Sequence, residues 1–526
     1  MRIIRLHFSR RAILVAFLLL LPCGSAIRAQ RAGGHDPGAD WTKSVVGGAG
    51  ANNSATASAS GRASTARHAS SPPAAQRTRR RPARPVQSGK QGMDADAYNS
   101  QGDEFLNAGK YDEAMAAYKQ AVRLDPALAE AHYSIGWIYD EAKEYAQAVD
   151  PLRQAVRLKP DYTTALSELG FVYRNLKRYN EAFEAYRQVA RLLPDDPTPQ
   201  YEIGWTYNEM DQCAQAIEPL TRAIRLKPDY AEAHNELGYA YRKLNRNSEA
   251  ILEYKEAIRL KPDMALAHLG LGDVYYYNTK EYGDAVVAYK EGLRLKPDNA
   301  TAYFNLGWSN NELKQYAEAQ KALAAAVRLK PDYAAAYNEL GYAYRKLGGE
   351  QEDNSPQAKE RFAEAIAAYQ QAIRLKPDYA LAYSGLGDVY YYDTKQYPLA
   401  IEAYRQSLSI KPDNATVQFN LGWSYNDLGR YAEAIGPLKQ AVQLKPEFAE
   451  AHNELGYSYH QLGRDAEAVE AYRQAVRLEQ DYALAHYNLG LSYLALGNRN
   501  GAMAEYQILR KLKPESATKL LDQINK

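Results

Sequence analysis

Residues 229–241 read DYAEAHNELGYAY, and the block they open closes at Arg259-Leu260-Lys261-Pro262. It places His234, Leu237, Gly238 and Tyr241 ahead of Ala250, Tyr254 and Pro262. The first group shares one face of a helix, and the second group shares a face of another. Asp229, followed by Glu232, has the pattern of a capping box, so a first helix is predicted from there to about Leu244. The stretch from Asn245 to Ser248 breaks it, a second helix runs from Glu249 to Leu260, and Pro262 prevents continuation. Gly238 and the small alanines let the two helices approach closely.

The block recurs. Its proline returns at Pro126, Pro160, Pro194, Pro228, Pro262, Pro297, Pro331, Pro377, Pro412, Pro446 and Pro514, with Gln480 in one gap. Its glycine returns at Gly102, Gly136, Gly170, Gly204, Gly238, Gly272, Gly307, Gly341, Gly387, Gly422, Gly456 and Gly490. The step is 34 residues, except for two steps of 35 and one of 46. Large residue, x2, Leu-Gly, x2, Tyr, then Ala, x3, aromatic and Pro resembles the tetratricopeptide repeat. His234 stands where that family has Trp, and Tyr254 where it has Phe. The resemblance implies an all-α, right-handed α-solenoid of twelve helix-turn-helix units. Their bounds are 93–126, 127–160, 161–194, 195–228, 229–262, 263–297, 298–331, 332–377, 378–412, 413–446, 447–480 and 481–514. One unit cannot bury its apolar face alone, so stacking supplies the core. Residues 515–526, with Leu520, Leu521 and Ile524 on one face, suit a capping helix. The extra residues 348–359 fall between the two helices of the eighth unit and read as a tolerated loop, with Ser355-Pro356 able to start a lengthened second helix. Pro151, Pro219 and Pro437 fall inside second helices and are expected to kink or shorten them.

The start of the chain differs. Arg2, Arg5, Arg10 and Arg11 precede the apolar run Ala12–Leu21, and small residues with Ala26 and Ala29 follow. Residues 1–29 therefore read as a cleaved export signal, with an uncleaved membrane anchor or a lipidated Cys23 as alternatives. Ser9–Leu14 also resembles a twin-arginine signal. Residues 30–92, rich in Ala, Gly, Ser, Pro and Arg, have too few large apolar residues to fold and read as a disordered linker. Residues 1–30 carry a net +5 and residues 31–92 a net +8; the whole chain is +2, which leaves −11 on residues 93–526. A basic tether thus precedes an acidic solenoid. Behind an export signal, the Arg77–Arg81 cluster suits a solvated linker, or contact with anionic surface polymers, better than nucleic-acid binding or nuclear targeting. The expected location is the periplasm or beyond, with the membrane touched only through the N-terminal segment. The only cysteines are Cys23 and Cys213, so no internal disulfide is expected.

Catalytic chemistry finds no foothold. His132, His234, His268, His452 and His486 fill one slot in five units, a full repeat or more apart, which suits packing and not a metal site. Glu236, Glu339 and Glu454 are likewise repeated copies, and no pair is singled out as an acid-base dyad. No phosphate loop, nucleophile elbow or calcium loop occurs. The expectation is a non-enzymatic scaffold without cofactor or metal.

A longer period carries the functional expectation. Trp205, Trp308 and Trp423 each follow the repeat glycine, three repeats apart once the insert is discounted, and Trp137 is a fourth copy. In the resembled family the first helices line the inner face of the superhelix. Carried over, that face holds Trp137, Trp205, Asn208, Asn235, Tyr239, Arg242, Asp273, Tyr276, Trp308, Asn311, Asn338, Tyr342, Arg345, Asp388, Tyr391, Trp423, Asn426, Asn453 and Tyr457. Aromatics supply area, while Asn and Arg supply directed donors. The partner implied is an unknown protein or extended peptide in a concave groove, or alternatively a polysaccharide. Packing of these aromatics between repeats is the competing reading.

Overall fold

The computed structural model describes residues 93–352 and 355–526. The export signal and the linker lie outside the described residues. Within the described residues no strand forms, and no helix is long and apolar enough to cross a membrane.

The chain divides into two compact bodies, described here over residues 93–299 and 300–526. The N-terminal body stacks six helix pairs. They are Ala95–Asn107 with Tyr111–Leu124, Ala129–Glu141 with Tyr145–Leu158, and Thr163–Asn175 with Tyr179–Leu192. Thr198–Glu209 with Cys213–Leu226 and Ala231–Lys243 with Asn247–Leu260 follow. In the sixth pair, Ala265–Asp273 continues as a π-helical turn, Val274–Thr279, before Tyr282–Leu295. The C-terminal body repeats the plan. Its pairs are Ala300–Glu312 with Tyr316–Leu329, Ala334–Gly349 with Pro356–Leu375, and Ala380–Asp388 plus the π-helical Val389–Asp393 with Tyr397–Ile410. Ala415–Asp427 with Tyr431–Leu444, Ala449–Gln461 with Asp465–Leu478, and Ala483–Ala495 with Arg499–Leu512 complete it, and Pro514–Ile524 closes it. Each body is an α-solenoid of six repeats.

The repeat glycine explains the pairing. A Cβ at Gly102 would stand 2.5 Å from the Tyr118 ring, and one at Gly136 would stand 2.6 Å from Leu152 Cγ. The second helix therefore presses its largest buried side chain into the notch that glycine leaves. Leu152, Leu220, Leu323 and Leu438 fill the notch where Trp follows the glycine, whereas Tyr118, Tyr186, Tyr289, Tyr404 and Tyr472 fill it in other repeats. In the last repeat the notch at Gly490 receives Leu520 of the terminal helix, which is wholly buried. That helix covers the end of the stack through Ala517, Leu520 and Ile524.

Several local expectations need correction. The fifth first helix begins at Ala231, with Tyr230 as an N-cap lacking any side-chain cap, so no capping box forms. Pro228–Tyr230 instead makes a turn, in which the Tyr230 N–H donates to the Lys227 carbonyl at 3.1 Å. This frees the Tyr230 ring to lie 5.0 Å from Tyr201 and Glu232 to meet Lys261 at 3.1 Å. Pro151, Pro219 and Pro437 do not shorten their helices, each of which keeps the usual 14 residues. Ala148, Val149 and Leu152 are buried on both sides of Pro151, and that burial outweighs one missing backbone hydrogen bond. The insert is carried largely as added helix. The eighth pair has helices of 16 and 20 residues, Ser355 caps the second by accepting from the Ala358 N–H at 3.1 Å, and Gly348 packs on Phe362. The two 35-residue steps coincide with the two π-helical turns, where one extra residue widens the last turn of the first helix.

Candidate functional site

The first-helix residues singled out from sequence fall into three arrangements. The first is a ladder of amides and carboxylates. In the N-terminal body the Asn208 side-chain amide donates to the carbonyl and the carboxylate of Glu236, both at 3.0 Å, and Asn235 donates to the same carboxylate at 3.3 Å. In the C-terminal body Asn311 reaches Glu339 twice at 3.2 Å, and Asn338 reaches it at 3.1 Å. Asn426 reaches Glu454 twice at 3.1 Å, and Asn453 reaches it at 3.3 Å. All nine side chains are buried. Burial pushes the Glu339 carboxyl up to about 7, although the amides of Asn311 and Asn338 pull it back down. The ladder therefore ties the fourth first helix to the fifth in one body, and the seventh to the eighth and the tenth to the eleventh in the other.

The second arrangement is built on the fourth residue after the repeat glycine. Buried Arg174 pairs with Glu202, lies 3.5 Å from Glu209, and stacks 3.7 Å above the Trp205 ring. Trp205 is 4% exposed, also meets Tyr201 at 5.9 Å, and has no hydrogen-bond partner for its Nε1. Arg242 lies 3.7 Å from Asp273 and 5.5 Å from the buried Tyr239 ring. Asp273 also accepts from the Tyr289 hydroxyl at 2.8 Å, and Tyr276 is buried edge-on to Tyr277 at 4.5 Å. Arg345 pairs with Asp393 at 2.7 Å and Asp388 at 3.1 Å. Asp388 accepts further from Tyr404 at 2.8 Å and Asn420 at 3.2 Å. Burial is the largest influence on Asp388 and raises its carboxyl above the usual range, against the pull of Arg345. Tyr391 donates to Asp427 and meets Trp423 at 5.2 Å. Trp308 is buried, at 4% exposure.

The third arrangement is partly open to solvent, although Tyr316 within it is buried. The residue after the repeat glycine faces the tyrosine that begins the previous second helix. Trp137 meets Tyr111 at 6.4 Å and Phe171 meets Tyr145 at 6.4 Å in the N-terminal body. Tyr342 meets Tyr316 at 6.1 Å and Tyr457 meets Tyr431 at 5.8 Å in the C-terminal body. Trp137, Phe171, Tyr342, Trp423 and Tyr457 are half-buried.

The expected groove residues thus differ in depth. Trp205, Asn208, Asn235, Tyr239, Tyr276, Trp308, Asn311, Asn338, Asp388, Tyr391, Asn426 and Asn453 are buried between neighbouring repeats. Arg174, Glu202 and Asp393 belong to these arrangements and were not singled out from sequence. The recurring Arg four residues after Gly, followed by acid one repeat on, was their signal. The histidine slot is structural: His132, His234, His268 and His452 each hydrogen-bond through Nε2 to the carbonyl of the proline six residues earlier, at 3.0 to 3.1 Å. His486 does the same to Gln480 at 3.0 Å. Among the described residues no cluster of His, Cys, Asp and Glu could hold a metal ion.

Antiparallel helix pairs repeated at 34 residues, each locked by a Leu or Tyr pressed against the repeat glycine, define a helical-repeat scaffold. The chain belongs to the tetratricopeptide repeat family. Models described as TPR repeat match residues 102–141, 204–310 and 358–497 in overlapping segments. Further tetratricopeptide repeat models match 129–162, 163–196, 300–333 and 484–516. Among solved structures, the Cut9–Hcn1 hetero-tetramer of APC/C is 16% identical, covers 82% of this chain and 96% of its own, and gives a TM-score of 0.37. YrrB, a TPR protein described as having an unusual peptide-binding site, is 20% identical over 38% of this chain and 97% of its own, with a TM-score of 0.33. MamA is 25% identical over 31% of this chain and 94% of its own, with a TM-score of 0.29. No functionally curated protein matches the chain. The repeat family is typically a non-catalytic scaffold suited to protein–protein interaction.

Proposed function

We propose that this protein is a non-enzymatic scaffold that holds an extended protein segment along its first helices, after export across a bacterial inner membrane. The observation that carries the reading is the set of half-open aromatic pairs: Trp137/Tyr111 and Phe171/Tyr145 in one body, Tyr342/Tyr316 and Tyr457/Tyr431 in the other. Rigid rings offer contact area at little entropic cost, and the two ledges within each body add by avidity. The export component rests on the basic, apolar and small-residue order of residues 1–29. A second reading, a polysaccharide laid across the same ledges, rests on the stacking faces these rings offer.

Photo-crosslinking in cells from Phe171 and Tyr457, followed by mass spectrometry, tests both. A defined protein crosslinked at these positions supports the scaffold. Polysaccharide captured there supports the second reading. Crosslinks that form only from second-helix positions such as Leu252 would overturn both. Recovery of full-length protein with Met1 in the cytosol would refute export.

A further inference from the structure

The chain contains the same arginine clamp more than once, and one copy is incomplete. Arg174, Arg242 and Arg345 all stand four residues after the repeat glycine. Arg174 has two carboxylates, Glu202 and Glu209, and Arg345 has two, Asp388 and Asp393. Arg242 is only 11% exposed in its side chain and donates to the Tyr254 hydroxyl, yet the carboxylate it meets is Asp273 at a loose 3.7 Å, and its Nε is buried without a hydrogen-bond partner. The reason lies in the sequence. Residues 272–280 read GDVYYYNTK and residues 387–395 read GDVYYYDTK, so Asn278 stands where the other copy has Asp393. In that copy Asp393 takes the Arg345 Nε at 2.7 Å. The Asn278 amide is instead turned to Asn245 Oδ1, at 3.1 Å, in an exposed hydrogen bond that costs little to exchange for water or a ligand. Lys243 beside Arg242 is already engaged by Asp211 at 2.9 Å. A buried guanidinium short of one acceptor is a costly arrangement to keep unless something else fills it.

We propose that the Arg242 clamp is a slot for a partner's carboxylate, the Asp or Glu side chain of an acidic peptide segment lying along the first helices. The inference rests on the scaffold reading and deepens it. A carboxylate entering beside Asn278 takes the place that Asp393 holds in the other copy, and Asn278 can turn its amide from Asn245 to donate to it. The N-terminal body thereby reads acidic side chains, while the matching place in the C-terminal body is closed by the chain's own Asp393.

The test uses the purified full chain and a fluorescent poly-glutamate peptide, with poly-glutamine as control. The basic N-terminal segment attracts the same peptide, but it is identical in every variant, so differences between variants report the slot. Asn278→Asp supplies an internal carboxylate and is expected to weaken poly-glutamate binding by about tenfold or more while raising thermal stability. Asp393→Asn is expected to open a second slot and raise the number of peptides bound by one. Equal affinity of the native chain and Asn278→Asp overturns the slot, whatever Asp393→Asn does to folding. If partner crosslinks still form from Phe171 and Tyr457 in that case, the scaffold reading stands without it.

Discussion

Asn426 bridges two successive first helices by donating its side-chain amide to both the main-chain carbonyl and the carboxylate of Glu454, at 3.1 Å each. Its own Oδ1 accepts from the Ser458 hydroxyl at 2.8 Å. The corresponding Oδ1 atoms of Asn208 and Asn311 are buried without a partner, because Ala240 and Ala343 stand where the third copy has Ser458. Asn426→Ala leaves a buried carboxylate short of donors and leaves the Ser458 hydroxyl only the Glu454 main-chain carbonyl, at 2.9 Å. It should cost about 1–3 kcal/mol of unfolding free energy, more than Asn311→Ala. Ala343→Ser should recover about 0.5–1 kcal/mol by supplying the missing donor. Denaturant titration of the three variants checks the order.

The same ladder makes stability depend on pH. Burial raises the Glu339 carboxyl from 4.5 to about 7 in the folded chain. A group whose folded pKa is raised contributes stability that is fully present below its unfolded pKa and lost as pH rises through its folded pKa. The C-terminal body should therefore lose stability between about pH 4.5 and pH 7 from this group, by about 1–3 kcal/mol. Glu339→Gln should remove that part of the slope. Unfolding of both proteins at several pH values decides it, and parallel curves would rule Glu339 out as the source.

The proline and glycine ladder made the helix pairs legible, because Pro262 and its equivalents stop helices and Gly238 and its equivalents mark where two must touch. The helix starts were less legible. Asp229 has the chemistry of a cap, but the turn at Pro228–Tyr230 sets the Tyr230 ring against Tyr201 and starts the helix at Ala231 instead. The π-helical turns were written in the two 35-residue steps, since an extra residue in a conserved-length helix has to widen a turn. The depth of the site residues was the least legible. Trp137 and Trp205 share one register in the repeat, yet Trp137 faces Tyr111 at the surface while Trp205 lies under Arg174. Position within a repeat sets direction; the neighbours one repeat away set burial.

The turns inside the pairs carry strain that can be relieved. Gly109, Gly429, Gly463 and Gly497 take positive φ there, and so do Lys143, Lys177, Asp211, Asn245, Lys280, Lys314 and Lys395. In the third repeat the Arg178 N–H closes the turn on the Tyr173 carbonyl at 2.8 Å, which requires Lys177 to adopt φ 59°. A side chain is disfavoured in that region by about 1 kcal/mol. Lys177→Gly should stabilise the N-terminal body by about 0.5–1 kcal/mol, after the entropy glycine adds to the unfolded chain. Gly463→Lys should do the reverse in the C-terminal body. Thermal unfolding of the two variants is sufficient.

The four tryptophans of the longer period should separate by depth. Trp205 and Trp308 are each 4% exposed, and Trp205 is held between Arg174 at 3.7 Å and Tyr201 at 5.9 Å. Truncation to Ala leaves a cavity and removes the face on which a buried guanidinium rests. Trp205→Ala and Trp308→Ala should each cost about 3–5 kcal/mol of stability. Trp137 and Trp423 are half-buried; Trp137 packs on the edges of two core clusters and makes a tilted contact with the exposed Tyr111 at 6.4 Å. Trp137→Ala should cost less, about 1 kcal/mol, and leave the fold intact for binding measurements. If that variant loses crosslinking to a partner while Trp205→Phe, which keeps a ring under Arg174, retains it, the half-open ring is a contact and the buried ring is a support. Equal and small losses of stability in Trp137→Ala and Trp205→Ala would contradict this division.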